Sequence, residues 1–279
     1  MTMPDTFQYG TETLTVGKTI AIASGRMKAV LSDSAIKKIK TSQQHVEKIV
    51  ANNKTVYGIN TGFGILSNTK ISEADTATLQ HKLLQSHSVG VGDAIPADIA
   101  KIMLITKVHA LAQGYSGVKL ETIERILWHI ENDVIPVVPE RGSVGASGDL
   151  APLAHLFLPL IGLGKVFYQN REQETVNVIK QFSLKPIQLG PKEGLALING
   201  TQFILSYAVK CVQRMHNCLE AADIIGAMSL EALTGTKAPF DERLHELRPF
   251  NGNKLVAQRL RILLKDSAIM QSHVDCGRV

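Results

Sequence analysis

TQFILSYAVKCVQRMHNCLEAADIIGAMSLEALT, residues 201–234, contains no proline, and Leu205, Ala208, Val212, Met215, Leu219 and Ala222 recur at spacings of 3, 4, 3, 4 and 3. Such spacing is the seam of a long helix packing in a bundle. Gly226 and Ser229 continue the seam with small residues that permit close helix approach. At 1.5 Å per residue the helix reaches roughly 50 Å, whereas a lone 30 kDa globule has a radius of gyration of roughly 19 Å. A helix this long therefore predicts partner helices in a larger assembly.

Helical patterns also dominate on either side. They run from Asp33 or Ser34 to about Ala51, over Glu73–Ser86, Pro96–Ala112 and Lys119–Asn132, and from Lys254 to about Met270. Leu150–Leu163 is apolar on nearly all sides and reads as a buried helix. Residues 1–30 read as short strands and turns, with strand habit at Glu12–Val16, and Val166–Tyr168 with Thr175–Val178 suggests a small hairpin. The expected fold is mainly α: an N-terminal portion (1–200) with a few short strands, then the beginning of a long central helical bundle (201–279).

The chain has 279 residues, 44% apolar and 20% charged, which is ordinary globular usage. Three cysteines exclude a disulfide scaffold and fit a reducing compartment. The net charge is +5, but the basic residues are scattered. Lys37-Lys38-Ile39-Lys40 reads as a solvated helix face, and 5% aromatics is poor material for base stacking, so no nucleic-acid partner is expected. Met1–Gly10 lacks the order of a signal peptide. Leu150–Leu163 is too short to span a bilayer and is interrupted by Pro152, His155 and Pro159. A cytoplasmic protein without membrane contact is the expectation.

Chemistry concentrates in Gly142-Ser143-Val144-Gly145-Ala146-Ser147-Gly148-Asp149-Leu150. The plainest reading is a glycine-rich turn in which Asp149 caps the helix opening at Leu150. A phosphate nest lacks the Gly-Lys-Ser/Thr ending, and a nucleophile elbow lacks glycine at its last position. A fourth reading accounts better for the residue types. The amide nitrogen of Gly148, unshielded by a side chain, attacks the carbonyl carbon of the small Ala146. One water leaves as the five-membered ring closes, and Ser147 loses its hydroxyl as a second. The product is an electrophilic methylidene, which ordinary side chains do not supply.

That run resembles the signature of the aromatic amino-acid ammonia-lyase family, which builds 4-methylideneimidazol-5-one (MIO) from Ala-Ser-Gly. Tyr57-Gly58-Ile59-Asn60-Thr61-Gly62-Phe63-Gly64, Gly145–Leu156 and Leu197-Ile198-Asn199-Gly200-Thr201-Gln202 carry the resemblance in order and spacing over nearly the whole chain. Ser86-His87 resembles the branch acting on histidine, whose imidazole needs hydrogen-bond partners where a phenyl ring needs an apolar wall. Taken alone, His87 reads as a satisfied loop histidine and Tyr57 as an ordinary loop tyrosine.

The resemblance implies an ammonia-lyase, fumarase-like fold and a homotetramer with sites built from several subunits. It implies MIO formed autocatalytically from Ala146, Ser147 and Gly148, without metal or nucleotide, and non-oxidative deamination of L-histidine to trans-urocanate. It makes Tyr57 the catalytic base, His87 a substrate contact, and Asn199 a contact to MIO and to the substrate amine or carboxylate. Gly58, Gly62 and Gly64 then belong to a mobile lid, and Asp149 supports ring closure. Taken alone, Asn199 reads as a helix N-cap. Cys211 and Cys218, His155, and the lone pair in His273-Val274-Asp275-Cys276 read as core or isolated residues rather than ligands.

The sequence departs from the family at its end. After a segment like Met270–Val279 the family continues with Gln-Asp-Pro-Tyr-Ser-x-Arg, whose Arg binds the substrate carboxylate, and nothing here corresponds to it. Arg248-Pro249-Phe250-Asn251-Gly252-Asn253 also differs, affecting a loop. The expectation is an N-terminal part of such an enzyme, inactive alone. The alternatives are a tyrosine or phenylalanine ammonia-lyase or aminomutase of the same family, or a non-catalytic fragment.

Overall fold

The computed structural model describes residues 6–52, 55–61, 73–145 and 148–272. The chain divides into two compact units, 1–210 and 211–279, so the boundary falls ten residues beyond the expected one, inside the long helix.

The first unit opens with β1 (Phe7–Tyr9), α1 (Val16–Ala23) and β2 (Ala29–Leu31), the two strands pairing in parallel through the intervening helix. No strand forms at Glu12–Val16, because the Thr15 hydroxyl accepts from the Lys18 amide (3.2 Å) and starts α1 instead. Ser32 does the same for α2 (Asp33–Ala51), one residue before the expected cap. Then come α3 (Glu73–His87), β3 (Val91–Ala94), α4 (Ala97–Leu111), α5 (Leu120–Glu131), β4 (Ile135–Pro136) and β5 (Pro139–Arg141). Every residue of α4 from Ile99 to Val108 is buried, and this helix is the axis of the core.

α6 (Leu150–Phe157) is shorter than the expected buried helix. Pro159 has no amide to donate and its ring crowds the preceding turn. The chain tightens there into a 3-10 turn over Leu158–Ile161, closed by Gly162 at φ +79°. β6 (Lys165–Tyr168) and β7 (Arg171–Glu174) form a hairpin whose two central residues, Gln169 and Asn170, both have positive φ. That two-residue turn sets Arg171 opposite Tyr168, so the second strand precedes Thr175, and the segment expected to be a strand is α7 (Thr175–Gln181). α8 (Glu193–Ile198) follows.

α9 spans Gln202–Ala232, 31 residues, as its pattern predicts. Gln202, Ser206 and Val209 are buried, while Leu205, Val212, Met215 and Leu219 of the seam are exposed. Cys211 and Cys218 are also exposed, not core. In the second unit the last turns of α9 are followed by α10 (Glu242–Glu246), α11 (Asn251–Leu263) and α12 (Ala268–Gln271). Ala227, Leu260, Leu264 and Met270 form its core, and Arg259 pairs with Asp223 at 3.2 Å. The helix expected to run unbroken to Met270 stops near Asp266, which takes φ +61°, and Ser267 caps α12. Among the described residues no helix is long and apolar enough to cross a membrane.

Candidate active site

Ala146, Ser147, Gly62 and Gly64 lie outside the described residues; Gly148, the last residue of the tripeptide, lies within them. Gly148 has φ +97° and forms an isolated parallel bridge with Gly200. A Cβ at 148 would collide with the Gly200 carbonyl oxygen, so conformation and space both require glycine. The same Gly200 oxygen accepts from the Asp149 amide at 2.8 Å.

Asp149 precedes α6, but its carboxylate does not cap that helix. It is fully buried and accepts from the Ser143 hydroxyl at 2.7 Å on one oxygen. On the other it accepts from the amides of Phe203 (3.0 Å) and Ile204 (3.1 Å). It therefore terminates α9, where a negative charge is favoured by the helix dipole and by otherwise orphaned amides. Asn199 likewise ends a helix rather than starting one. It is the C-cap of α8, its side-chain Nδ2 donates to the Leu195 carbonyl at 3.0 Å, and the side chain is exposed.

α8 collects the other parts. Gln80 of α3 accepts from the amides of Gly194 (2.9 Å) and Leu195 (3.4 Å). The buried Glu193 carboxylate accepts from the Thr122 hydroxyl at 2.7 Å and the Gly190 amide at 2.7 Å. Gly58, at φ +76°, lies against Leu195 so closely that a Cβ would meet its side chain. The Tyr57 turn is held by the Val56 amide on Asn60 Oδ1 (2.9 Å) and the Gly58 amide on the Thr61 hydroxyl (3.2 Å), and Tyr57 itself is exposed. Tyr57, the α3 helix that ends in His87, Asn199 and Gly148 are thus all tied to α8 and its extension through Gly200.

His87 closes α3 rather than sitting in a loop. Its Nδ1 lies 2.9 Å from the Leu83 carbonyl, so in the neutral ring Nδ1 donates and Nε2 is left as acceptor. His155 is half-buried on α6 and accepts from the Gly90 amide at 3.0 Å, fixing the segment that follows His87. Burial holds its pKa below the ordinary histidine value.

One residue escapes sequence reasoning. Lys107 is buried in α4, and its Nζ donates to the Asn199 carbonyl at 2.6 Å. Burial pushes its pKa down to about 7. The signal available in the sequence was a lysine within the mostly apolar run Ile102-Met103-Leu104-Ile105-Thr106-Lys107-Val108.

Residues 14–279 match the aromatic amino acid lyase family. The chain belongs to that family. A histidine ammonia-lyase of Myxococcus xanthus is 41% identical over 268 residues, 96% of this chain and 53% of the relative. The crystal structure of histidine ammonia-lyase from Trypanosoma cruzi superposes with TM-score 0.85 at 36% identity, covering 96% of this chain and 53% of that one. Tyrosine aminomutase from Streptomyces globisporus superposes with TM-score 0.87 at 31% identity, covering 99% and 54%. The chain thus spans about half the length of the lyase relatives it matches. The mainly helical lyase fold expected from the sequence is the fold of these structures.

Proposed function

We propose that this chain is the electrophile-bearing part of a histidine ammonia-lyase, acting in the cytoplasm within a homotetramer. The reaction breaks the Cα–N and Cβ–H bonds of L-histidine and forms a Cα=Cβ bond, giving trans-urocanate and ammonia without net oxidation. The observation that carries this reading is the cradle at Gly148, where the backbone is left-handed, side-chain-free and set against Gly200. It fits the closing residue of an Ala-Ser-Gly ring. MIO, formed from Ala146, Ser147 and Gly148, supplies the electrophile that side chains lack.

The chain's own residues do the rest. Tyr57 takes the β-proton at its phenolic oxygen, a role that requires its phenolate form. His87 Nε2 accepts from the imidazole N–H of the substrate. Asn199 presents its amide to the amine or carboxylate. Gly58, left-handed at φ +76°, lets the Tyr57 loop open and close over the substrate, and Gly62 and Gly64 belong to the same loop by sequence. Asp149 holds the loop by its three donors.

Intact mass tests the electrophile: a chain lighter by two waters supports it, and an unchanged mass overturns it for this chain. The likeness to tyrosine aminomutase keeps a second reading open, a lyase or aminomutase for tyrosine or phenylalanine. Purified full-length protein assayed against histidine, tyrosine and phenylalanine decides it, with turnover of histidine alone expected.

A further inference from the structure

We propose that Lys107 is a positioning residue for ring closure: by holding the Asn199 carbonyl it fixes the Asn199–Gly200 crossing against which Gly148 and Asp149 are set. The proposal rests on reading Ala146-Ser147-Gly148 as an electrophile precursor, and it adds a residue outside the tripeptide.

Lys107 is 2% exposed, in a helix buried on all sides. No carboxylate among the described residues pairs with it. A buried amine without a counter-charge disfavours folding, and an apolar side chain of equal length would fill the space without that cost. Lys101, on the same helix, shows the ordinary solution by reaching Asp133 at the surface. Lys107 instead turns inward, with the Phe157 ring 5.9 Å away and the Asn199 carbonyl as its acceptor. Its pKa, pushed down to about 7 by burial, leaves it an N–H donor whether charged or neutral.

What the bond holds is a weak point of the backbone. Gly200 has no side chain to anchor it and φ +145°. Its carbonyl nevertheless receives the Asp149 amide and stands where a side chain at 148 would be. Lys107 ties this crossing to the core through α4. If the tie is released, Gly200 can move, the left-handed backbone at Gly148 relaxes, and the tripeptide is no longer pressed toward closure.

The test compares the wild-type chain with Lys107→Met and Lys107→Arg by intact mass, amide hydrogen exchange and circular dichroism. The Met variant is expected to keep its helix content but to show at least about tenfold faster exchange at Asp149, with the amides of α4 unchanged. The fraction lighter by two waters should fall at least about tenfold in the same variant, and the Arg variant, which restores a donor, should recover part of both. Wild-type closure and Asp149 protection in the Met variant overturn the proposal, as does a uniform loss of protection across the unit. If the wild type keeps both waters, the electrophile reading fails while Asp149 exchange still decides the role of Lys107. If the Met variant does not fold, the Arg variant decides: exchange at Asp149 within about threefold of the wild type supports the proposal, and exchange at least about tenfold faster overturns it.

Discussion

The Asp149 carboxylate accepts from one hydroxyl and two amides while fully buried. Asp149→Ala is expected to lower stability by roughly 2–4 kcal/mol, since it orphans buried donors and removes a cap; urea denaturation measures it. A second residue sets the response to acid. His129 is buried in α5, its Nδ1 donates to the Val134 carbonyl at 2.8 Å, and burial pushes its pKa down to about 4. The unfolded chain takes up a proton near the ordinary value of 6.5, and the folded chain does not until about 4. The unfolded state therefore binds more protons in between, and stability falls as pH drops through that window, by about 3 kcal/mol in total. Urea midpoints at pH 7.5 and 4.5 should show the loss, and His129→Leu should reduce it. At this scale the sequence was legible where chemistry is local. The glycine-rich turn before Asp149 can be read from residue types alone, and Gly145 and Gly148 take positive φ there. The true partners of Asp149 lie 54 and 55 residues away, so only its capping habit could be read, and on the wrong helix.

Helices with a sustained period were legible almost to the residue: Lys119–Asn132 was expected and α5 runs Leu120–Glu131. Strands were legible only in part: Val166–Tyr168 lies within β6, but its partner was misplaced and β1 and β2 could not be bounded, because the strands of this chain are two to four residues long. The seam of α9 is instructive: its period is that of a packed face, yet in this chain taken singly Leu205, Val212, Met215 and Leu219 are exposed. Leu219 is exposed, so Leu219→Glu should change the stability of this chain by less than about 0.5 kcal/mol. Leu264, which packs in the small core of the second unit, should cost roughly 2–4 kcal/mol when replaced by alanine. Equilibrium denaturation of the two variants separates a face that stabilises the isolated chain from one that does not.

At the scale of the molecule, the chain spans about half of its lyase relatives. Purified 1–279 is expected to give no urocanate absorbance with L-histidine, even if its mass shows ring closure; measurable turnover would contradict this. The division of the cradle between Gly148 and Gly200 has a further consequence, in time rather than space. Asp149 and Ile204 are 55 residues apart in sequence. A ribosome adding about 5–20 residues per second makes the second roughly 3–11 s after the first. Until residue 200 is added the nascent chain carries the tripeptide without Gly200, and until residues 203 and 204 are added it lacks the amides that hold Asp149. On the proposed reading, ring closure of the tripeptide is therefore expected only after the chain has passed residue 204.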